Sequence, residues 1–251
     1  MARRLTDGPM EGRLRVFADG ESLSQAAAAA IGDAMREAVA QRRRCDVALA
    51  GGGTPRRMYE LLSAHADIPW TNVHLFWGDE RYVPHDHPAS NFRMARQALL
   101  ARIDIPAGNV HPMPTDHADP GEAARTYEAV LRAHFGSDPR FDLILLGLGP
   151  DGHTASLFPG SAALLEVQRW VVAVTAPADP PIRLTLTLPI LNRAAQVHFL
   201  VTGHDKAEAL RRARRGNTDA CPASRVQPAD GTLTWWVDRA AAGQDDPGSL
   251  S

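Results

Sequence analysis

The sequence has few cysteines, little net charge and no long apolar run. Its two cysteines, Cys45 and Cys221, stand far apart without the spacing of a zinc site, so we expect isolated reduced thiols. A formal net charge of −2 gives no broad field to attract nucleic acid or a membrane. The basic run RRARR at 211–215 is interpreted as a solvated helix face. No apolar stretch approaches the ~18 residues of a membrane span, and no signal peptide is recognisable. These absences favour a cytoplasmic protein without nucleic-acid or membrane partners.

Apolar strands alternate with helical segments along the chain, which is typical of an α/β protein. The predicted strands are 46–50, 73–77, 141–147, 170–175, 184–188, 197–201 and 233–237, and the predicted helices are 21–41, 55–66, 89–102, 121–135 and 204–215. Continuous apolar strands such as LILL indicate a mostly parallel sheet covered on both faces. We expect one domain over residues 1–251, with a flexible polar tail from about residue 242. Ligands of such sheets bind beyond the carboxyl ends of the strands, where loops enter helices.

The first such loop is glycine-rich. GGGTP follows the strand DVALA and places Gly52 and Gly53 before Thr54, the predicted N-cap, and Pro55 at the first helical position. Glycines let backbone N–H groups converge, and a helix N-terminus adds partial positive charge, so an anion fits here. A tight turn without a ligand would require the same glycines. The loop lacks the lysine of a Walker A motif and does not indicate ATP.

The second loop, GDERYVPHDHPASNF, is densely polar. Arg81 at the end of a strand is a good bidentate partner for phosphate or carboxylate. Alternatively, Asp79 and Glu80 form ion pairs with Arg81. The pair His85 and His87 lacks a further spaced ligand, so we interpret both as exposed loop histidines and not as a metal site.

The third loop, GLGPDGHTASLFPG, matches the glycine spacing of the dinucleotide fingerprint G-x-G-x-x-G, but the residues that follow do not fit a dinucleotide fold. A dinucleotide fold needs a long helix after the third glycine, and the sequence Pro159-Gly160 stops any helix after one or two turns. The loop instead presents Asp151 and His153. Histidine suits proton transfer at neutral pH, and a carboxylate can fix its tautomer. No nucleophile elbow of the type G-x-S-x-G is present, so the loop predicts general-base hydrolysis by water.

Other conspicuous residues receive structural interpretations. Trp235 and Trp236 are predicted to be one buried and one half-exposed aromatic residue of a strand. His74, His111 and His198 stand alone in the sequence, and no chemistry is assigned to them.

Taken in order, these motifs resemble the 6-phosphogluconolactonase family. The resemblance runs from about residue 15 to residue 241 and rests on GGGTP, GDER-YVP-x4-SNF, GLGPDGHTASLFPGS, PPIRLTLTLPILNRA, VTGHDKAEALRRA, PASRV and LTWWVDRAA. It implies a three-layer α/β/α sandwich with a Rossmann-like, mostly parallel sheet, in the fold group of sugar-phosphate isomerases and deaminases. The implied activity is hydrolysis of a sugar-phosphate lactone, by a monomer or homodimer, with no metal and no cofactor.

The resemblance also implies roles for individual residues. His153 would be the general base and Asp151 would orient it. Arg81 and Lys206 resemble the phosphate-binding pair of the family. The substrate-binding set is completed by backbone and side-chain groups of Gly52, Gly53, Thr54, Asp79 and Arg183.

Two alternatives stay open at the sequence level. Glucosamine-6-phosphate deaminase resembles the chain, but its third loop reads GHIAFNEP, with a glutamate before the proline, and its second loop carries tyrosine at the position of Arg81. A non-catalytic sugar-phosphate sensor would need a DNA-binding helix-turn-helix, and only about 20 residues precede the first predicted helix.

Overall fold

A parallel sheet forms the centre of the protein in the computed structural model, which describes residues 12–216 and 220–244. Its seven strands within those ranges are β1 (Arg13–Phe17), β2 (Cys45–Leu49), β3 (Val73–Trp77), β5 (Val110–His111), β6 (Leu143–Leu146), β9 (Gln196–Val201) and β10 (Thr232–Asp238). Their order across the sheet is β1-β10-β9-β6-β2-β3-β5. The central strands β2 and β6 are buried along their whole length, which explains their unbroken apolar sequences.

A second, smaller sheet is antiparallel. It consists of β4 (Asp79–Arg81), β7 (Val171–Thr175) and β8 (Ile182–Leu186), in the order β4-β8-β7. The sequence predicts the last two as strands, but it does not reveal that they leave the main sheet. The short strand β4 directly follows β3, after Gly78 alone, and so connects the two sheets.

Helices connect the strands and cover the sheet, giving the three-layer α/β arrangement. They are α1 (Gly20–Arg42), α2 (Gly53–Leu62), α3 (Asn91–Ala98), α4 (Pro120–Phe135), α5 (Leu188–Leu191) and α6 (Ala207–Arg215). Helix α2 packs against both α1 and α3, whereas α4 packs against the antiparallel sheet. The prediction that Thr54 caps α2 is wrong: the N-cap is Gly52, whose φ of 104° suits glycine, and the helix starts at Gly53.

The burial of the core residues contradicts one sequence-based prediction and agrees with another. Trp235 and Trp236 are both 1% exposed, so the predicted half-exposed tryptophan is wrong. Cys45 and Cys221 are buried and unbonded to each other, as expected of isolated thiols. No helix in the described ranges has the length and apolar character needed to cross a bilayer. Most of the predicted tail lies outside the described residues, which end at Gln244.

Candidate active site

Loops at the carboxyl ends of the parallel strands surround a cleft of about 320 Å³. This volume lies within the range of small-molecule sites. Eight of the nine residues predicted for the site line the cleft: Gly52, Gly53, Thr54, Asp79, Arg81, His153, Arg183 and Lys206. The ninth, Asp151, lies behind His153 and contacts its ring. All three predicted loops therefore lie together at the carboxyl ends of the parallel strands, where ligands of open α/β sheets bind.

The glycine loop presents the start of α2 to the cleft. No side chain in the described part of the protein caps this helix, so its first N–H groups face the cleft without a side-chain acceptor. The hydroxyl of Tyr59 bonds both the N–H and the C=O of Ala50 at 2.9 Å, which fixes the strand end where the loop begins. Thr54 Oγ1 lies 2.7 Å from Thr202 Oγ1 and so connects the loop to the end of β9. The arrangement suits an anion.

The third loop holds an aspartate and a histidine in direct contact. Nδ1 of His153 lies 2.6 Å from Oδ1 of Asp151, which also accepts the backbone N–H of His153 at 3.1 Å. Burial opposes ionisation of Asp151, but the hydrogen bonds and charge of His153 outweigh it, so the pKa of Asp151 is lowered. An ionised Asp151 fixes the tautomer with its proton on Nδ1, and the lone pair is then on Nε2.

The backbone after this loop excludes the dinucleotide interpretation. Residues 153–160 form turns with an isolated bridge between Thr154 and Leu157, and none of them is helical. The helix that should bind a pyrophosphate is therefore missing from this described segment. A Cβ atom on Gly149 would lie 2.0 Å from His153 Nδ1, so this glycine is needed for the histidine to fold back over the loop.

Two arginines are paired on neighbouring strands of the small antiparallel sheet. Arg81 on β4 pairs directly with Arg183 on β8, and both side chains line the cleft. Like charges directly opposite each other repel. Burial, and after it the charge of Arg81, lowers the pKa of Arg183, which is 7% exposed. An anion bound between the two guanidinium groups would relieve this repulsion.

Each arginine is already held in place by a backbone carbonyl. Arg81 Nη1 donates to Ala89 O at 2.6 Å, and Arg183 Nε donates to Pro180 O at 2.7 Å. These bonds orient the remaining N–H groups without neutralising the charge.

Lys206 supplies the third cation of the cleft and is the only lysine of the sequence. It stands at the N-cap of α6, after the loop that follows β9. Its Nζ lies 2.7 Å from Asp205 Oδ2, a carboxylate that is 63% exposed. An ion pair whose carboxylate is this exposed is weak, and a phosphate can displace the carboxylate from Lys206.

The acidic residues of the second loop do not pair with Arg81, so the alternative of local ion pairs is wrong. Glu80 accepts four hydrogen bonds, from the backbone N–H groups of Arg81, Asn91 and Phe92 and from the hydroxyl of Ser90. Asp79 accepts the Ser156 hydroxyl at 2.7 Å and the Asn91 amide at 3.3 Å. The Asp79–Ser156 bond thereby ties the arginine loop to the histidine loop.

Sequence reasoning missed several residues of the site. Asn91 and Thr202 line the cleft, and Ser156 is fully buried beneath it. Thr202 is the first residue after β9, so the strand-end rule alone would have indicated it. His87 is exposed, as predicted, and accepts the Ala89 N–H, whereas His85 is half-buried, so its predicted exposure is wrong: its Nε2 lies 2.9 Å from the distant Met113 O.

Comparisons with known proteins agree with the motifs. The profile of the family described as glucosamine-6-phosphate isomerases/6-phosphogluconolactonase matches residues 18–235. A Synechocystis protein named 6-phosphogluconolactonase is 45% identical over 92% of this chain and 98% of its own length. Its Mycobacterium tuberculosis namesake is 44% identical over 93% and 98%. The solved 6-phosphogluconolactonase from Trypanosoma cruzi superposes with a TM-score of 0.84 at 30% identity, covering 92% of this chain and 96% of that one.

Proposed function

The chain belongs to the glucosamine-6-phosphate isomerase/6-phosphogluconolactonase family, and on that premise we propose that it hydrolyses 6-phospho-D-glucono-1,5-lactone to 6-phospho-D-gluconate. This is the second step of the oxidative pentose phosphate pathway. The observation that carries the proposal is that a histidine–aspartate pair and three cations line or adjoin one cleft. The proposed location is the cytoplasm, and the proposed active unit is a single domain acting as a monomer or homodimer.

His153 activates the water in this mechanism. Its Nε2 takes a proton from water as the water oxygen attacks the lactone carbonyl carbon, which gives a tetrahedral intermediate. The bond between that carbon and the ring oxygen then breaks, and the imidazolium returns the proton to the ring oxygen. One water is consumed, and the product has a carboxyl group and a free hydroxyl. Asp151 holds the ring and stabilises the imidazolium while the proton resides there.

The cations bind the other end of the substrate. Arg81 and Lys206 hold the phosphate, with help from the N–H groups of the glycine loop, and Arg183 is a further substrate contact. Asp79 accepts hydrogen bonds, so its place in the substrate site is to position the loops and to accept a sugar hydroxyl. Binding energy gathered at the phosphate orients the carbonyl group toward the histidine.

The deaminase alternative is disfavoured by the third loop. Ser156, Leu157 and Phe158 stand before Pro159, where the deaminase carries glutamate, and the Ser156 hydroxyl is occupied by Asp79. Amine loss and ring opening would lack that acid. The sensor alternative predicts that the protein binds a sugar phosphate without converting it.

An assay on fresh lactone separates these functions. The purified chain should hydrolyse 6-phospho-D-glucono-1,5-lactone well above the spontaneous rate, measured by coupling the product to a 6-phosphogluconate dehydrogenase. Glucosamine 6-phosphate should release no ammonia. Ammonia release without lactone turnover would establish the deaminase, and binding without either would establish the sensor.

Substitution of the cations tests the phosphate site. Arg81→Ala and Lys206→Ala should each weaken binding of the phosphorylated lactone by about 10- to 150-fold, because each removes a charge-assisted contact worth ~1.5–3 kcal/mol. The KM for unphosphorylated gluconolactone should change little. Arg102→Ala, at an exposed arginine outside the cleft, is the matched control. Equal losses on both lactones would contradict the assignment of the phosphate site.

A further inference from the structure

Three histidines meet on the sheet at a place that the lactonase mechanism does not use. His74 is the second residue of β3, and Asp46 on β2 is its direct register partner. His111 on β5 is the register partner of Phe76. Side chains at alternate positions and at paired positions share one face of a sheet, so these residues form a single row. The last turn of α4 lies over that row and adds His134. None of the three histidines lines the catalytic cleft.

The spacing of the rings corrects the expectation that these histidines are isolated. Nδ1 of His74 lies 3.2 Å from Nε2 of His111, and the ring of His134 lies 4.7 Å from that of His74. One ligand nitrogen from each of the three lies within 4.8 Å of the other two, the one such trio in the described ranges. Bonds of 2.0–2.1 Å in a tetrahedral zinc site place ligand nitrogens about 3.3 Å apart. The first pair already has that separation.

A buried carboxylate supports the third histidine. Oδ1 of Asp46 lies 2.7 Å from Nε2 of His134, and Asp46 is fully buried. A carboxylate that accepts one ring N–H leaves the lone pair on the other nitrogen, and metal-binding histidines are held in this way in most proteins. The second carboxylate oxygen lies 3.0 Å from Arg44 Nε in an ion pair that lacks hydrogen-bond geometry. Packing alone would not require a buried carboxylate at this position.

We propose that His74, His111 and His134 form a binding site for one divalent transition-metal ion of the zinc class. Imidazole nitrogens suit zinc, copper, nickel and cobalt, and a set of three leaves the fourth position to water. The histidines are half-buried, so the site is reachable from solvent. A bound ion would join α4 to strands β3 and β5, and its role would be structural. On metal binding, the hydrogen bond between His74 and His111 would be lost: the proton between the rings would move to the outer nitrogen of the ring that carries it, so that both facing nitrogens present lone pairs.

Metal titration of the full chain tests the site. The protein is treated with chelator, and Zn²⁺ binding is followed by calorimetry in an His153→Asn background, so that the catalytic histidine adds no site. One equivalent should bind and raise the melting temperature, because the ion binds the folded state. His74→Asn and His134→Asn should each lower the affinity at least ~100-fold, and Asp46→Asn should lower it ~10–100-fold. His87→Asn, at an exposed loop histidine, should leave it unchanged.

A spectroscopic measurement covers the case in which a variant fails to fold. One equivalent of Cu²⁺ bound to the His153→Asn protein, in which the trio is intact, should show nitrogen hyperfine coupling from coordinated imidazoles in its electron paramagnetic resonance spectrum. Lactone turnover should be the same with and without Zn²⁺, since the trio lies outside the cleft. Absence of stoichiometric binding, or affinity that is unchanged in the His74 and His134 variants, would overturn the proposal.

Discussion

His153 and Asp151 form the smallest unit on which the proposed turnover depends. The carboxylate contacts one ring nitrogen, and the other nitrogen is left to act on water. The sequence identifies both residues because they stand together on a loop after a buried strand. It does not reveal that Gly149 makes room for the ring, since that contact depends on how the loop folds back.

Replacement of the base gives the first prediction at this scale. His153→Asn should lower kcat by roughly 10²- to 10⁴-fold, the usual contribution of a positioned acid–base group. Asp151→Ala should lower kcat less, because the imidazole remains and no amide group imposes the wrong tautomer, and should leave KM nearly unchanged. The measurements are steady-state kinetics on the phosphorylated lactone and thermal melting. His87→Asn is the control, and a His153 variant with undiminished turnover would refute the mechanism.

The trio of His74, His111 and His134 could not be predicted from the sequence. Its members come from two strands and one helix, separated by tens of positions, and no spacing rule connects them. The strand order, which places β3 next to β5, brings His74 and His111 onto one face, and the packing of α4 over that face adds His134.

At the level of elements, the strand-end loops were predictable and the sheet pairings were not. The apolar composition of the sequence runs that form β6 and β9 indicates that these strands are buried. The runs that became β7 and β8 have a similar composition, yet they pair in the small antiparallel sheet. Strand pairing is a non-local property, and a run of valine and leucine does not specify its neighbour. As a result, the opposition of Arg81 and Arg183 was not predicted, although each residue was.

The turn that carries the histidine gives a prediction at this scale. Gly149→Ala should lower kcat strongly, because the new Cβ would lie 2.0 Å from His153 Nδ1 and 2.6 Å from Asp151 Oδ1. The fold should persist, since the clash involves side chains that can move. Gly108→Ala is the matched control, because a Cβ there meets nothing within 4 Å and the residue lies outside the cleft. Wild-type kcat in Gly149→Ala would show that the dyad geometry is not needed.

At the scale of the whole molecule, the core contains a buried histidine that couples stability to pH. His198 on β9 is 5% exposed, and its Nδ1 accepts the indole N–H of Trp236 at 3.0 Å. Burial, with a smaller contribution from Arg15, lowers the pKa of His198 to about 4. The folded protein therefore holds this ring neutral at pH values where the unfolded chain protonates it.

The sign of the resulting pH dependence follows from linkage. Below the unfolded pKa of about 6.5, the unfolded state binds a proton that the folded state excludes, so the free energy of unfolding falls as the pH drops toward about 4. The contribution of His198 to this fall is at most ~3 kcal/mol. Urea denaturation at several pH values should show a shallower dependence for His198→Asn than for the unsubstituted protein. If the free energy of unfolding depends on pH equally in the two proteins, burial does not lower the pKa of His198.

The antiparallel ladder between β4 and β8 has a consequence for recognition. It pairs the backbones of Arg81 and Arg183, whose guanidinium groups are each held by a backbone carbonyl, and the side-chain bond between Asp79 and Ser156 fixes the neighbouring loop. In the proposed substrate site, Arg81 and Arg183 are thus held in place before the lactone arrives, and little conformational entropy is lost at these two residues when it docks. The three positive charges of the cleft then attract the anionic lactone at long range, so the rate of its capture should fall as the salt concentration rises.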